Sequence, residues 1–323
     1  MEIFNPNANF NFLGLRRYSI AVAALLVVAS IALILVRGFN YGQEFVGGVA
    51  VDVAYSAPVD TNDVRKTLID AGLDNPLVQS VGGTRQVTVR LQPRDDHGLA
   101  GQTGVTGDEA ASKVSDDIMA ALKAKRPDAT MSKKSFVGPQ VGEELRSDGL
   151  YAVVFVIVGI MGYLWVRFER RFAVAALVTE IHDVLVTLGI FALTQREFDL
   201  TVLASVLAVV GYSINDKVVV FDRIRELFRS SRNATPEDVL NRSINSTLSR
   251  TIITSLFTGI TMAALFLYGG PAVHGFAVTL LIGIVVGTLS SIFVASPILL
   301  WLGVSKQDLM PKSSDDASLE RRP

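Results

Sequence analysis

The sequence has no cysteine among its 323 residues, which excludes disulfide bonds, thiolate metal ligands and cysteine nucleophiles. Its three histidines, at positions 97, 182 and 274, are too scattered to predict a metal-binding cluster. Charged residues make up only 19% and the net charge is −1, so nucleic acid is not an expected partner. We expect neither a metal nor a cofactor.

Hydrophobic residues, by contrast, make up 50% of the chain, and the mean hydropathy is +0.40. This composition is typical of a polytopic membrane protein with one polar insertion and excludes a soluble enzyme. The sequence predicts six transmembrane helices, each an apolar run long enough to cross a bilayer. These runs are 19–37, 150–166, 172–194, 200–222, 251–268 and 273–304.

Basic residues predict how the chain crosses the membrane. The segment 1–18, the loops after the second and fourth runs, and the tail 305–323 are all rich in Arg or Lys. By the positive-inside rule, we expect these parts and both termini to be cytoplasmic. The fourth-to-fifth connection is predicted as a hydrophilic loop, 222–250, within a five-helix domain 149–304. The charged tail is predicted to be disordered.

The segment 38–148 is the only long polar part, and it is expected outside the membrane, in the periplasm. Alternating residues predict strands at 49–55, 86–91 and 129–137, and helical periodicity predicts helices at 64–73 and 108–125. This β-α-β-α-β order predicts a small α+β domain of the ferredoxin-like kind. Gly47 and Gly48 precede no helix, so a tight turn is favoured over a phosphate-binding loop.

The fourth run carries Asn215, Asp216 and Lys217 before it ends. A charge within the hydrocarbon costs at least about 2.5–3.5 kcal/mol, so it persists where it faces protein or water. At about 1.5 Å per residue, Asp216 lies roughly 24 Å from Leu200, in the far half of a core about 30 Å thick. One interpretation makes Asp216 a proton or ion carrier. The other ends the span early, with Asp216 and Lys217 reaching the headgroups.

The third run contains Glu180, His182 and Asp183, the two carboxylates roughly 12 and 16 Å from its start. Adjacent helical residues diverge by about 100°, so we favour an interhelical hydrogen bond for His182 over a relay with Asp183. With Asn215 and Lys217, these three side chains are predicted to be supporting polar groups inside the membrane.

Arg250 begins the fifth run at a depth comparable to that of Asp216. The two side chains could pair, and breaking the pair would let Asp216 take up a proton. The alternative makes Arg250 an ordinary cytoplasmic anchor. Lys217 does not share the helix face of Asp216, so it reaches the headgroups or answers another carboxylate.

Several segments together resemble the SecF proteins of the SecD/SecF protein-export family, which belongs to the resistance–nodulation–division (RND) superfamily. The resemblance covers nearly the whole chain, including its six spans and one external domain. Its motifs are the Gly47-Gly48 pair, IHDV at 181–184, EFDLT at 197–201, GYSINDKVVVFDRIRE at 211–226, NRSINSTLSRT at 241–251, GFA at 275–277 and Ser296-Pro297.

The resemblance implies a subunit of the bacterial inner membrane that pairs with SecD, associates with the SecYEG channel and uses the proton gradient to assist preprotein movement. YidC and YajC are further implied partners, and membrane lipid surrounds the spans. It implies proton transport by Asp216 and Arg250. Lys217 departs from the commonest family pattern. The alternatives are an RND-type exporter of small molecules or lipids, and a scaffold that conducts no protons.

Overall fold

The computed structural model describes residues 9–73, 76–81, 83–91, 107–231 and 234–305. The side chains at 107–110, 139–140 and 271 are not described. His97, residues 92–106 and the predicted disordered tail beyond Ser305 lie outside the described residues.

Helices dominate the described chain. Six of them are long and apolar enough to cross a membrane, as the sequence predicts. The helices are α1 (Arg16–Arg37), α2 (Gln43–Val46), α3 (Thr61–Asp70), α4 (Gly107–Lys125), α5 (Pro139–Arg167), α6 (Arg170–Thr194), α7 (Leu200–Ser230), α8 (Pro236–Tyr268), α9 (Pro271–Ser290) and α10 (Ser296–Trp301). The candidate spans are α1, α5, α6, α7, α8 and the unit formed by α9 and α10.

The predicted hydrophilic loop 222–250 is mostly helical. α7 continues to Ser230, and α8 begins at Pro236, where the Thr235 hydroxyl accepts the N–H of Asp238 at 3.2 Å. Proline at the first helical position lacks an N–H that would have no partner there. The polar residues after position 222 therefore do not mark the end of the helix.

The sixth span contains the irregularity that Pro297 predicts. α9 ends at Ser290, the chain forms a π-helical turn over Ser291–Ala295, and α10 follows. Proline lacks an amide hydrogen and crowds the residue four positions earlier, so it disturbs the turn before it. Gly283 and Gly287 act differently, because they let α9 approach α7 closely.

The strands are β1 (Asn40–Tyr41), β2 (Gly48–Ala54), β3 (Leu77–Ser80), β4 (Gln86–Leu91), β5 (Thr130–Val137) and β6 (Glu197–Phe198). Four of them form an antiparallel sheet in the order β3-β4-β2-β5. With α3 and α4 the chain order is β-α-β-β-α-β, which is the ferredoxin-like arrangement. The sequence analysis missed β3, which has only four residues. Buried Val51, Leu68, Val89 and Ile118 form the centre of the domain.

Short contacts join this domain to the membrane helices. β1, just after α1, pairs in parallel with β6, in the connection from α6 to α7. Arg90 in the sheet forms an ion pair with Glu197 in the same connection. Gly47 and Gly48 have φ of 77° and 112°, which only glycine adopts readily, so the predicted tight turn is confirmed.

The opposite ends of the helices are joined by other contacts. Arg16 forms an ion pair with Glu237 of α8, and Arg171 donates to the Gly303 carbonyl. The N-terminal segment, the α5–α6 connection, the start of α8 and the end of the sixth span therefore share one side. The ferredoxin-like domain lies on the other side.

Candidate functional site

A cluster of ionisable side chains is buried where α6, α7 and α9 meet. Glu180, His182 and Asp183 of α6 and Asp216 and Lys217 of α7 are all at most 9% exposed. Buried ionisable groups inside a membrane bundle are costly unless paired, and they commonly mark ion pathways.

Lys217 is the cation of this cluster. Its Nζ donates to Glu180 Oε2 at 2.6 Å and to Asp183 Oδ2 at 2.8 Å, and the side chain is fully buried. The sequence left two roles open for Lys217, and the structure supports the ion pair with a carboxylate other than Asp216. Lys217 does not reach the headgroups.

Asp183 accepts from four partners. Its Oδ1 lies 2.9 Å from His182 Nδ1, and its Oδ2 accepts from Lys217, from Ser213 at 2.6 Å and from Ser290 at 2.7 Å. These bonds reach three helices. Both oxygens of this buried carboxylate therefore have hydrogen-bond partners.

Glu180 has a different environment. Lys217 donates to Oε2, but Oε1 is buried with no hydrogen-bond partner among the described residues. The side chain also borders a small cavity with apolar walls from α5, α6 and α7, including Ile157, Met161 and Val210. The surroundings therefore stabilise only one of its two oxygens.

The geometry of His182 corrects the sequence expectation. Its Nδ1 contacts the neighbouring residue Asp183 on the same helix, whereas an interhelical bond was favoured. The two side chains bend towards one another, although their Cβ directions diverge. The Nε2 atom is buried and has no partner in the described part of the chain.

Asp216 and Arg250 do not form a closed pair in this structure. Asp216 is 4% exposed, and its Oδ2 has no hydrogen-bond partner among the described residues. Arg250 is exposed and interacts with Asp216 electrostatically, without an ion pair within 4 Å in the described residues. Asn215 is exposed and lies outside the cluster. The roles of Asp216 and Arg250 in proton transport stay predictions.

Sequence reasoning missed Ser213 and Ser290 as ligands of Asp183. In the sequence both serines stand among apolar residues, and neither has a local pattern that predicts a bond to a carboxylate. Only their positions in the sequence could have pointed to them. Ser213 lies just before the charged segment of α7, and Ser290 lies three residues after Gly287, a close-packing glycine of α9. Serines also occur in membrane helices where they only allow close packing, so their positions alone did not predict these bonds.

Comparisons with known proteins identify the family. Residues 117–305 match the model described as "Protein export membrane protein SecD/SecF, C-terminal". The chain is 39% identical over 96% of its length to the protein translocase subunit SecF of Pseudomonas aeruginosa, covering 97% of that protein. It is 37% identical over 93% of its length to SecF of Escherichia coli O157:H7, covering 90%. The chain belongs to the SecD/SecF family.

Solved structures from the SecD/SecF family share the fold. The chain is similar to SecDF of Thermus thermophilus, described as a translocon-associated membrane protein, with a TM-score of 0.81 and 34% identity. That match covers 94% of this chain but 40% of the SecDF chain. SecDF in a super-membrane-facing form matches with a TM-score of 0.67, covering 99% and 41%. The family therefore supplies both the six-helix fold and its external domain.

Proposed function

We propose that this chain is a SecF subunit that works with SecD to assist preprotein movement through SecYEG. The proton gradient is its energy source, and no cofactor takes part. Relatives of matching length carry the name "Protein translocase subunit SecF". The match covers 40% of the SecDF chain, and SecD is the proposed partner for the remainder of that arrangement. YidC, YajC and the preprotein are proposed further partners.

The observation that carries the proton-coupling part is the state of Asp216. It is a carboxylate buried in a membrane helix, and its Oδ2 has no hydrogen-bond partner among the described residues. Such a group binds and releases a proton at little geometric cost, because no existing hydrogen bond must break first. One proton crossing about 100 mV releases about 2.3 kcal/mol, which is enough to bias a two-state rearrangement.

The proposed location is the bacterial inner membrane, with both termini in the cytoplasm. The side that holds the N-terminal segment and the α7–α8 hairpin is also the side rich in arginine, which supports this orientation. The ferredoxin-like domain then lies in the periplasm, where exported chains emerge.

Asp216→Asn tests the proposed function, because asparagine keeps the shape but takes up no proton. In a strain that lacks its own SecF, we expect gradient-dependent export to fall to the level without SecF, while SecD still co-purifies. Asp222→Asn is the matched control. Asp222 lies on the same helix but is 42% exposed and paired with Arg167, so export should continue.

Two other outcomes would lead to different conclusions. Normal gradient-dependent export with Asp216→Asn would favour a scaffold that conducts no protons. Loss of export with both aspartate variants, together with loss of SecD, would show only that α7 is needed for assembly. An RND-type exporter gains no support from a domain this small.

A further inference from the structure

The buried cluster contains one cation and two carboxylates that contact it. With Lys217 charged and Glu180 and Asp183 both ionised, the three groups carry a net charge of −1. A net charge in a membrane interior is far more costly than a neutral set. One proton added to the buried groups would bring this net charge to zero.

Glu180 is the group best placed to accept that proton. Asp183 receives four hydrogen bonds, so a proton there would displace a donor. Glu180 receives one hydrogen bond, and its Oε1 has no partner within the described chain. A proton on Glu180 Oε1 would therefore break no hydrogen bond of the described chain.

The other ionisable groups near Glu180 come from α6 and α7. From α6 come Asp183 and, beyond it, His182, whose Nδ1 contacts Asp183 and whose Nε2 has no hydrogen-bond partner among the described residues. A proton on His182 is therefore the competing outcome, and in that case Glu180→Gln would keep the full carboxyl band. From α7 comes Lys217, which donates to both Glu180 and Asp183. The wall from α5 is apolar, with Ile157, Ile160 and Met161 at the cavity.

We propose that Glu180 is a second proton-binding site of this chain, distinct from Asp216. In the balanced step, the Glu180 carboxylate and one proton give the carboxylic acid, and the net charge with Lys217 and Asp183 changes from −1 to zero. Lys217 stays paired with Asp183 throughout. The proposal rests on the proposed proton coupling, because a buried site of this kind has a use only where protons move through the spans.

Infrared spectroscopy tests it on the complete chain, co-expressed with its SecD partner and reconstituted in lipid vesicles. Protonated carboxyl groups have a carbonyl stretching band that appears as the pH falls. In Glu180→Gln we expect the intensity of this band to fall by the contribution of one carboxyl group. Asp222→Asn should keep that contribution because its carboxylate is exposed. A Glu180→Gln spectrum identical to that of the unchanged chain at every pH would overturn the proposal.

Two further variants keep the test decisive. If Glu180→Gln fails to fold, Glu180→Asp moves the carboxyl group by one methylene, so its band should shift in frequency, and an unshifted band overturns the proposal. Asp216→Asn should keep the Glu180 component. Because this readout does not use export, normal export by Asp216→Asn would overturn the proposed function and leave the Glu180 result to stand or fall alone.

Discussion

Lys217 donates to Asp183 across the α6–α7 interface, with Nζ 2.8 Å from Oδ2 and both side chains fully buried. The two helices are therefore held together by charge as well as by packing. Asp216 is the residue before Lys217, but its Oδ2 has no hydrogen-bond partner among the described residues. The Lys217 ammonium group of the buried ion pair and this oxygen of Asp216 therefore belong to adjacent residues of α7.

Removing the cation should destabilise the membrane domain. Lys217→Met leaves Glu180 and Asp183 without a counter-ion, and breaking a buried ion pair typically costs about 3–5 kcal/mol. We expect a clearly lower melting temperature for the purified protein in detergent. Glu180→Gln added to Lys217→Met should recover part of the loss, because it removes one of the two uncompensated carboxylates.

Lys133→Met is the control for that change, since this lysine is exposed on β5. Its melting temperature should match that of the unchanged protein. Equal melting temperatures for Lys217→Met and Lys133→Met would contradict the role given to the buried ammonium group.

Two buried serines of the last span differ in one respect that can be measured. Ser290 donates to Asp183 at 2.7 Å, whereas Ser296 Oγ has no partner in the described residues. A hydrogen bond to a charged group contributes about 1.5–3 kcal/mol, so Ser290→Ala should lower stability by about that much. Ser296→Ala should be neutral or slightly stabilising. Equal unfolding free energies for both variants would refute the assignment.

Close approach of α9 to α7 depends on Gly283. A Cβ at this position would lie 2.2 Å from Val209 Cγ2, and valine has little rotamer freedom in a helix. Gly283→Ala should therefore cost about 1–3 kcal/mol, and Val209→Ala in the same chain should restore part of it. Gly211→Ala, where a Cβ meets nothing within 4 Å, should leave thermal stability unchanged or slightly raised.

Stability of the external domain should depend on pH through Asp128. Hydrogen bonds from Arg126 and Ser56 hold the pKa of Asp128 well below its usual value. A lowered folded-state pKa stabilises the fold above the unfolded-state pKa, about 3.9, and this contribution is lost as the pH falls towards the folded-state value. Asp128→Asn should therefore lower the melting temperature at neutral pH.

The difference between Asp128→Asn and the unchanged chain should shrink once the pH falls below about 4. Asp70→Asn, at an exposed helix end, serves as the control and should differ little at any pH. A gap for Asp128→Asn that stayed constant down to acidic pH would show that the carboxylate charge does not contribute.

Hydropathy and charge alone were enough to predict the six spans, because crossing a bilayer demands long apolar runs. Alternation predicted three of the four sheet strands of the external domain. β3 was missed because four residues carry too little periodicity. Helix ends were less predictable: α5 and α8 begin well before the predicted spans 150–166 and 251–268, since polar residues such as Glu, Lys and Arg also favour helices.

The site was only partly predictable. Each ionisable member could be named, because charges in apolar runs stand out in the sequence. Their partners could not be, since these depend on how three helices are rotated against each other. Lys217 pairs with Glu180 and Asp183, 37 and 34 residues away, and no local pattern encodes that distance. The bond from His182 to Asp183 depends on side-chain rotamers, which spacing does not determine.

The two-residue ladder between β1 and β6 has a mechanical consequence. β6 lies in the turn between α6 and α7, the helices that carry the buried charges, and Arg90 fastens the sheet to the same turn. A tilt of that helical hairpin must therefore swing the external domain about its base. A small rotation of the α6–α7 hairpin would therefore produce a larger displacement at the end of the external domain that lies farthest from the membrane helices.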